Sequence, residues 1–192
     1  MNQLLDRPVS LAMVIGSVRE GRFGPTVARW FAEQVKNAGI FDLDVIDLAQ
    51  IEVPTQPLTN HECAVDFRAR IASADAIVIV TPEYNHSFPG TLKNAIDLAR
   101  GEWFAKPIAL VSYGGIAGGL RAVEHLRHVF AELHAVTIRE TVSFHNAHGA
   151  FDAQGQPLDE QGSQEAAVKM LHQLSWWAEA LRMAREREPY PA

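Results

Sequence analysis

Three short stretches hold the residue types best suited to chemistry. The first runs from Ser17 to Gly24 and on to Pro25 and Thr26, and it places Ser17, Arg19, Gly21, Arg22 and Thr26 just ahead of a helical pattern. Hydroxyls, a guanidinium fork and the N–H groups of a helix start together suit a phosphate. The second, Pro82-Glu-Tyr-Asn-His-Ser-Phe-Pro-Gly90, packs turn-forming residues directly after the apolar run Ala76 to Val80. A loop at the carboxyl end of a buried strand is where open α/β sheets place their ligands. The third, Ser112-Tyr-Gly-Gly-Ile-Ala-Gly-Gly119, has four glycines in six positions. Backbone without Cβ atoms lets a flat ring edge come close.

Each stretch needs an element before and after it. Val9 to Ile15 is a mostly apolar run that predicts a first strand, followed by a loop and a helix that starts near Pro25 and stops at Gly39. Phe41 to Leu48 alternates polar and apolar residues, as expected of an edge or near-edge strand. Ala49 to Asn60 is irregular, and Glu62 to Ala74 has helical spacing. Asp75 to Val80 predicts the third strand and Pro89 starts the next helix. Lys106 to Ser112 predicts the fourth strand, Leu120 to Leu133 a helix, and Ala135 to Ile138 the fifth strand. Phe144 to Gly162 reads as a long connection before a last helix from about Gln164 to Arg185. Arg182 to Glu188 is expected to be a solvated, frayed end.

Strands alternating with helices imply an α/β protein whose sheet is parallel, because each connection is long enough for a crossover helix. The expected fold is a doubly wound five-stranded parallel sheet of flavodoxin-like order 2-1-3-4-5 with helices on both faces. In that order the three loops follow strands one, three and four, beside the switch point.

Competing chemistries fit less well. The spacing from Gly16 to Gly21 matches a triphosphate-binding loop, but Arg22-Phe23 stands where Lys and Ser or Thr belong. The first loop also lacks G-x-G-x-x-G, although Asp47 at the end of the second strand can imitate the acid that binds a dinucleotide ribose. His145-x2-His148 has metal-ligand character without an obvious third ligand, and His125 and His128 fit a solvated helix face. His86 beside Ser87 lacks a nucleophile elbow.

The middle stretch, continued by Leu92-Lys-Asn-Ala-Ile-Asp97, closely resembles the signature of the NADPH-dependent FMN reductase family. These are flavodoxin-like proteins that include quinone, chromate and azo-dye reductases. Gly16-Ser-x-Arg19 and Ser112-Tyr-Gly-Gly-x-x-Gly-Gly119 extend the resemblance over roughly residues 9 to 140. The resemblance implies that Ser17, Arg19, Gly21, Arg22, Phe23, Gly24 and Thr26 hold the FMN phosphate. It implies that Pro82, Glu83, Tyr84 and Asn85 line the isoalloxazine ring, and that Ser112, Tyr113, Gly114, Gly115 and Gly118 border its other edge. Many relatives carry a second Ser and an Asn where this chain has Arg22-Phe23-Gly24-Pro25.

The activity so implied is FMN-dependent NAD(P)H oxidation, with NADPH or NADH as donor. Hydride passes from nicotinamide C4 to flavin N5, and two electrons then go to a small-molecule acceptor such as a quinone or free flavin. No protein acid or base is required; backbone N–H groups near Tyr84, Asn85 and Gly114 stabilise charge on the ring. Two alternatives stay open at this point: a flavodoxin-like electron carrier or sensor that never uses a nicotinamide, and a dehydrogenase without flavin. The resemblance also implies a homodimer or homotetramer with active sites near the subunit boundary. Trp103, Phe104, Trp176 and Trp177 offer apolar area for such contacts, although two of them fit a core equally well.

Composition sets the remaining bounds. With 192 residues, 47% of them hydrophobic, a single domain spanning 1–192 is expected. A formal charge of -6 argues against a nucleic-acid partner or an anionic membrane. The single cysteine, Cys63, fits a reduced compartment, and no run approaches the ~18 apolar residues of a membrane helix. The expectation is a cytoplasmic protein with no membrane insertion.

Overall fold

Period-two alternation inside the apolar runs decides which side chains meet which helices. In the computed structural model, which describes residues 7–54 and 61–191, Val9–Ile15 forms strand β1 and every one of its apolar side chains is buried. Leu11, Met13 and Ile15 point to one face of the sheet, and Ala12 and Val14 to the other. Strand β2, Phe41–Asp47, keeps Asp42 and Asp44 exposed, as an edge strand can, while Asp47 at its end is half-buried. Strands β3 (Ala76–Pro82) and β4 (Pro107–Tyr113) are buried along their whole length, and β5 spans Val136–Phe144. All pairings are parallel and the order is β2-β1-β3-β4-β5, with the ends of β1, β3 and β4 side by side.

Parallel strands buried on both faces need helices on both faces. Helices α1 (Gly24–Ala38) and α5 (Glu160–Arg187) cover one, through Val27, Trp30, Phe31, Val35, Met170, Leu171 and Leu174. Helices α2 (Glu62–Ser73), α3 (Gly90–Asp97) and α4 (Leu120–Glu132) cover the other, through Phe67, Ile71, Leu92, Ile96, Leu126 and Phe130. Gly39 ends α1 at a φ of 67°, a left-handed cap whose N–H donates to the Lys36 carbonyl. Trp103 is core, and its indole N–H donates to the Ile96 carbonyl at 3.1 Å. Trp176, by contrast, is 63% exposed.

The expected order and face coverage match the structure, and three local expectations need correction. Strand β5 runs to Phe144 rather than ending at Ile138, because an edge strand tolerates the polar residues that broke the apolar run. Helix α5 starts at Glu160, where the Asp159 carboxylate caps the Gly162 N–H at 3.0 Å. Of the irregular stretch expected from Ala49 to Asn60, residues 55–60, including Pro57, lie outside the described residues.

The third correction concerns the mixed-charge end of α5. Arg182 is only 8% exposed and its Nη1 donates to Asp75 Oδ2 at 3.3 Å, while Arg185 Nη2 lies 3.8 Å from Asp75 Oδ1. Arg7 adds a bidentate contact at 2.9 and 3.2 Å, and the Ser10 N–H donates at 3.1 Å. Asp75 thus ties the chain before β1 and the end of α5 to the start of β3, at the edge of the sheet opposite the ligand loops. Removing the carboxylate leaves Arg182 buried without its partner, a change that costs about 3 kcal/mol or more. Urea unfolding of Asp75→Ala is expected to show that loss; a variant as stable as the parent contradicts this account.

Candidate active site

The carboxyl ends of β1, β3 and β4 present their three loops to one cleft. In the first loop, Ser17 is fully buried and its Oγ accepts a hydrogen bond from Tyr113 Oη at 3.0 Å. Burial raises the Tyr113 phenol to about 12 against the opposing Ser17 hydrogen bond, so it stays protonated and donating even at pH values where an exposed tyrosine ionises. Gly24 closes the same contact, since a Cβ there lies 2.5 Å from Ser17 Oγ and 2.8 Å from Tyr113 Oη. A side chain at Gly24 therefore displaces both hydroxyls.

Arg22 and Arg19 have different settings. Both terminal nitrogens of Arg22 donate to Asp47, at 2.5 and 2.6 Å, and Nη1 also donates to the Ser17 carbonyl at 2.9 Å. Burial alone raises the Asp47 carboxyl, but the Arg22 hydrogen bonds and the Ala49 N–H outweigh it and hold the pKa below the usual carboxylate range. Asp47, which in sequence imitated a ribose-binding acid, has both oxygens taken within the protein. Arg19 is exposed, and its guanidinium carbon lies 3.8 Å from the centre of the Tyr84 ring, a cation–π stack that links the first and second loops.

The second loop is a tight hairpin. Tyr84 and Ser87 exchange backbone hydrogen bonds at 2.8 and 3.0 Å, and the two residues between them, Asn85 (φ 50°) and His86 (φ 68°), are both left-handed. This is the conformation of a type I′ turn, and His86 pays the strain of a side chain usually replaced there by glycine. Side chains from α4 hold the turn down. Glu83 accepts from Arg121 Nη1 at 2.7 Å, and His125 Nδ1 lies 3.1 Å from Ser87 Oγ.

The glycines of the third loop divide into two pairs with different tasks. A Cβ at Gly118 meets Ser143 Oγ at 2.6 Å and one at Gly119 meets the Ser112 Cβ at 2.6 Å, and both residues have positive φ, so this pair serves close packing on β4 and β5. The Gly118 carbonyl accepts from Ser112 Oγ and Ser143 Oγ, each at 2.8 Å. Gly114 and Gly115 instead border the cleft, and a Cβ at Gly115 meets nothing within 4 Å.

The cleft is a cavity of about 670 Å³. The structure brings Arg19, Gly21, Arg22, Phe23, Pro82, Glu83, Tyr84, Tyr113, Gly114 and Gly115 to its walls. Ser17, Gly24, Ser112 and Gly118 stand behind those walls as supports. Asn85 is at the exposed turn tip, and Thr26 faces the Gly155 turn, whose Cβ position is 3.2 Å from Thr26 Cγ2. Sequence reasoning missed Glu20 and a fourth wall, Asn146, Ala147, His148 and Gly149. That wall is held because the Asn146 and Ala147 N–H groups donate to the Gly115 and Gly114 carbonyls at 2.8 and 3.0 Å. His148 packs against Phe23 with ring centres 5.0 Å apart, and His145 Nδ1 lies 2.8 Å from the Ile116 carbonyl. The only signal in the sequence was the histidine pair itself.

A doubly wound sheet of this order, with a cleft of mononucleotide size over its switch point, defines a flavodoxin-like protein. Residues 9–149 match the family described as NADPH-dependent FMN reductase, and the chain belongs to that family. An NAD(P)H-dependent FMN reductase of Schizosaccharomyces pombe is 36% identical over 137 residues, covering 66% of this chain and 68% of the relative. A 2-hydroxy-1,4-benzoquinone reductase of a Burkholderia species is 35% identical over 140 residues, covering 69% of this chain and 75% of the relative. The solved structure of an NAD(P)H:(acceptor) oxidoreductase from Paracoccus denitrificans shares the fold, with a TM-score of 0.71 at 23% identity, covering 88% of this chain and 97% of that one.

The Tyr113 to Ser17 contact gives a direct test of how the loops are supported. Tyr113→Phe keeps the ring beside Phe23 but leaves the buried Ser17 hydroxyl without its donor, at a cost of about 1 to 2 kcal/mol. Gly24→Ala forces a Cβ against two buried hydroxyls and is expected to cost more, within the roughly 1 to 3 kcal/mol range of overpacked sites. Thermal unfolding of both variants measures the ranking, and the reverse order contradicts it.

Proposed function

We propose that the protein is an FMN-dependent NAD(P)H oxidoreductase that passes two electrons to a quinone or a similar small molecule. The observation that carries this reading is the cleft itself, with arginines at one end and the bare Gly114–Gly115 backbone at the other. Its volume lies within the roughly 300 to 1,000 Å³ of small-molecule sites. Family membership and the benzoquinone-reducing relative support the donor and the class of acceptor.

In this reading Arg19, Arg22 and the backbone from Gly21 to Gly24 bind the phosphate, with Ser17 and Thr26 fixing the loop that carries them. Pro82, Glu83, Tyr84 and Asn85 orient the ring on one side, and Tyr113, Gly114 and Gly115 approach its polar edge, with Ser112 and Gly118 bracing them. When bound, FMN accepts a hydride from NAD(P)H and returns two electrons to the acceptor. The protein orients the ring, but the Tyr84 and Gly114 N–H groups expected to face it donate instead to the Ser87 and Phe144 carbonyls, at 2.8 and 3.1 Å, so those two act by holding their loops in place. Glu83 is committed to Arg121 and is a positioning residue rather than a proton donor.

The assembly belongs to the same proposal. One domain spanning the chain, joined into a homodimer or homotetramer, is consistent with two cores sharing one sheet and with exposed apolar residues on α5, among them Trp176 and Val168. A cytoplasmic location fits the single cysteine, and among the described residues no helix is long and apolar enough to cross a membrane.

Purified protein is expected to show a flavin absorbance spectrum, or to acquire one with FMN, and to bleach on anaerobic mixing with NADPH. Colourless protein that neither binds FMN nor oxidises NADPH with a quinone would end this reading. Arg19→Ala is expected to weaken FMN roughly tenfold or more, the worth of a charge-assisted hydrogen bond. Gly114→Val is expected to weaken FMN by displacing the third loop, because a Cβ there comes within 3.1 Å of the Gly119 nitrogen and 3.5 Å of the Glu83 Cβ. Unchanged FMN affinity in both variants places the site elsewhere.

A further inference from the structure

We propose that Asp47 is a positioning residue for the phosphate end of the site: it fixes Arg22 in the cleft wall before the cofactor arrives. This rests on the FMN reading. Asp47 lies at the carboxyl end of the edge strand β2, in register with Ile15, the last residue of β1. From there its carboxylate reaches across to the first loop and accepts from both Nη1 and Nη2 of Arg22, and the Ala49 N–H donates to it at 3.1 Å. The two side chains are only 16% and 11% exposed. The pair is therefore a built contact, with little of the solvent screening that weakens surface ion pairs.

Guanidinium geometry gives the pair its consequence. Of the five N–H donors of an arginine, Asp47 and the Ser17 carbonyl engage three, two on Nη1 and one on Nη2. The Nε donor and one on Nη2 remain, on a side chain whose position is set and which borders the cleft. A donor fixed beforehand loses less freedom when an anion binds than one that must be ordered at that moment. Asp47 also offsets the Arg22 charge, which works against an anion. Positioning and neutralisation thus make opposite predictions for removal of the carboxylate, and the experiment decides between them.

The comparison is between FMN and riboflavin, which differ by the phosphate alone. Flavin is removed from the protein, and the affinity for each is measured by quenching of flavin fluorescence in the parent, Asp47→Asn, Arg22→Lys and the double variant. Positioning predicts that Asp47→Asn weakens FMN about tenfold and leaves riboflavin unchanged. It also predicts that the double variant loses little more than either single one, since both changes break one unit. Tighter FMN binding in Asp47→Asn shows that the carboxylate only competes with the phosphate, and overturns the proposal. Equal weakening of both flavins overturns it as well, because that is the mark of a general structural defect. A parent that does not prefer FMN to riboflavin defeats the FMN reading and this proposal together, whereas a preference undiminished in Asp47→Asn defeats this proposal alone.

Discussion

The hydrogen bond from Tyr113 to Ser17 holds together two loops that are far apart in sequence. The donor ends β4, the acceptor follows β1, and β3 lies between those strands, so the bond spans the middle of the sheet just above its carboxyl edge. It forms only because Gly24 leaves room for both hydroxyls, and burial keeps the phenol protonated and donating well into the alkaline range. Everything above depends on this layer. With Ser17 fixed, its carbonyl is in place for Arg22; with Tyr113 fixed, its carbonyl accepts the Glu83 N–H and Gly114 emerges at a set height. The cleft therefore has a floor of buried hydroxyls and walls of backbone and long side chains.

The second loop is held from the opposite side. Two consecutive left-handed residues without the freedom of glycine are costly, and such a turn survives only where its surroundings over-determine it. Here Glu83 and Ser87 are gripped by Arg121 and His125 of α4, while Tyr84 carries the Arg19 guanidinium on its ring. A ligand ring against Pro82 to Tyr84 thus meets a surface shaped by contacts with both neighbouring loops. Rigid presentation of this kind is what oriented chemistry without a protein acid or base requires.

How much of this could be read from the sequence depended on the range of the interactions involved. The first strand was legible to the residue because VSLAMVI is apolar except for Ser10 and ends at Gly16, and α1 was legible because Pro25 and Gly39 punctuate it locally. Strand β5 was not, because its polar half is set by pairing with β4 and by an edge position that no local pattern reveals. The grip of Asp75 on Arg182 joins residues 107 positions apart, so a charged helix end looked solvated. In the site, turn chemistry exposed three loops but not the division of labour within them. Gly118 and Gly119 serve packing, Gly114 borders the cleft while its α-carbon packs against Gly119, only Gly115 is open on the side a Cβ would take, and the fourth wall exists only because β5 is long enough to bring Asn146 back to Gly115.

Charge explains why so much of the site is backbone and fixed pairs. The chain carries a formal charge of -6, so its overall field opposes phosphate-bearing ligands at a distance. At physiological salt that field fades over about 8 Å, which leaves recognition to groups within the cleft. Free surface lysines add attraction without geometry, and none lines this cavity. The cleft instead holds one arginine stacked on an aromatic ring and one locked on a carboxylate. In the proposed reading, selectivity for an anion comes from where donors point more than from how much positive charge they carry, and orientation of that kind can be built into a protein that is negative overall.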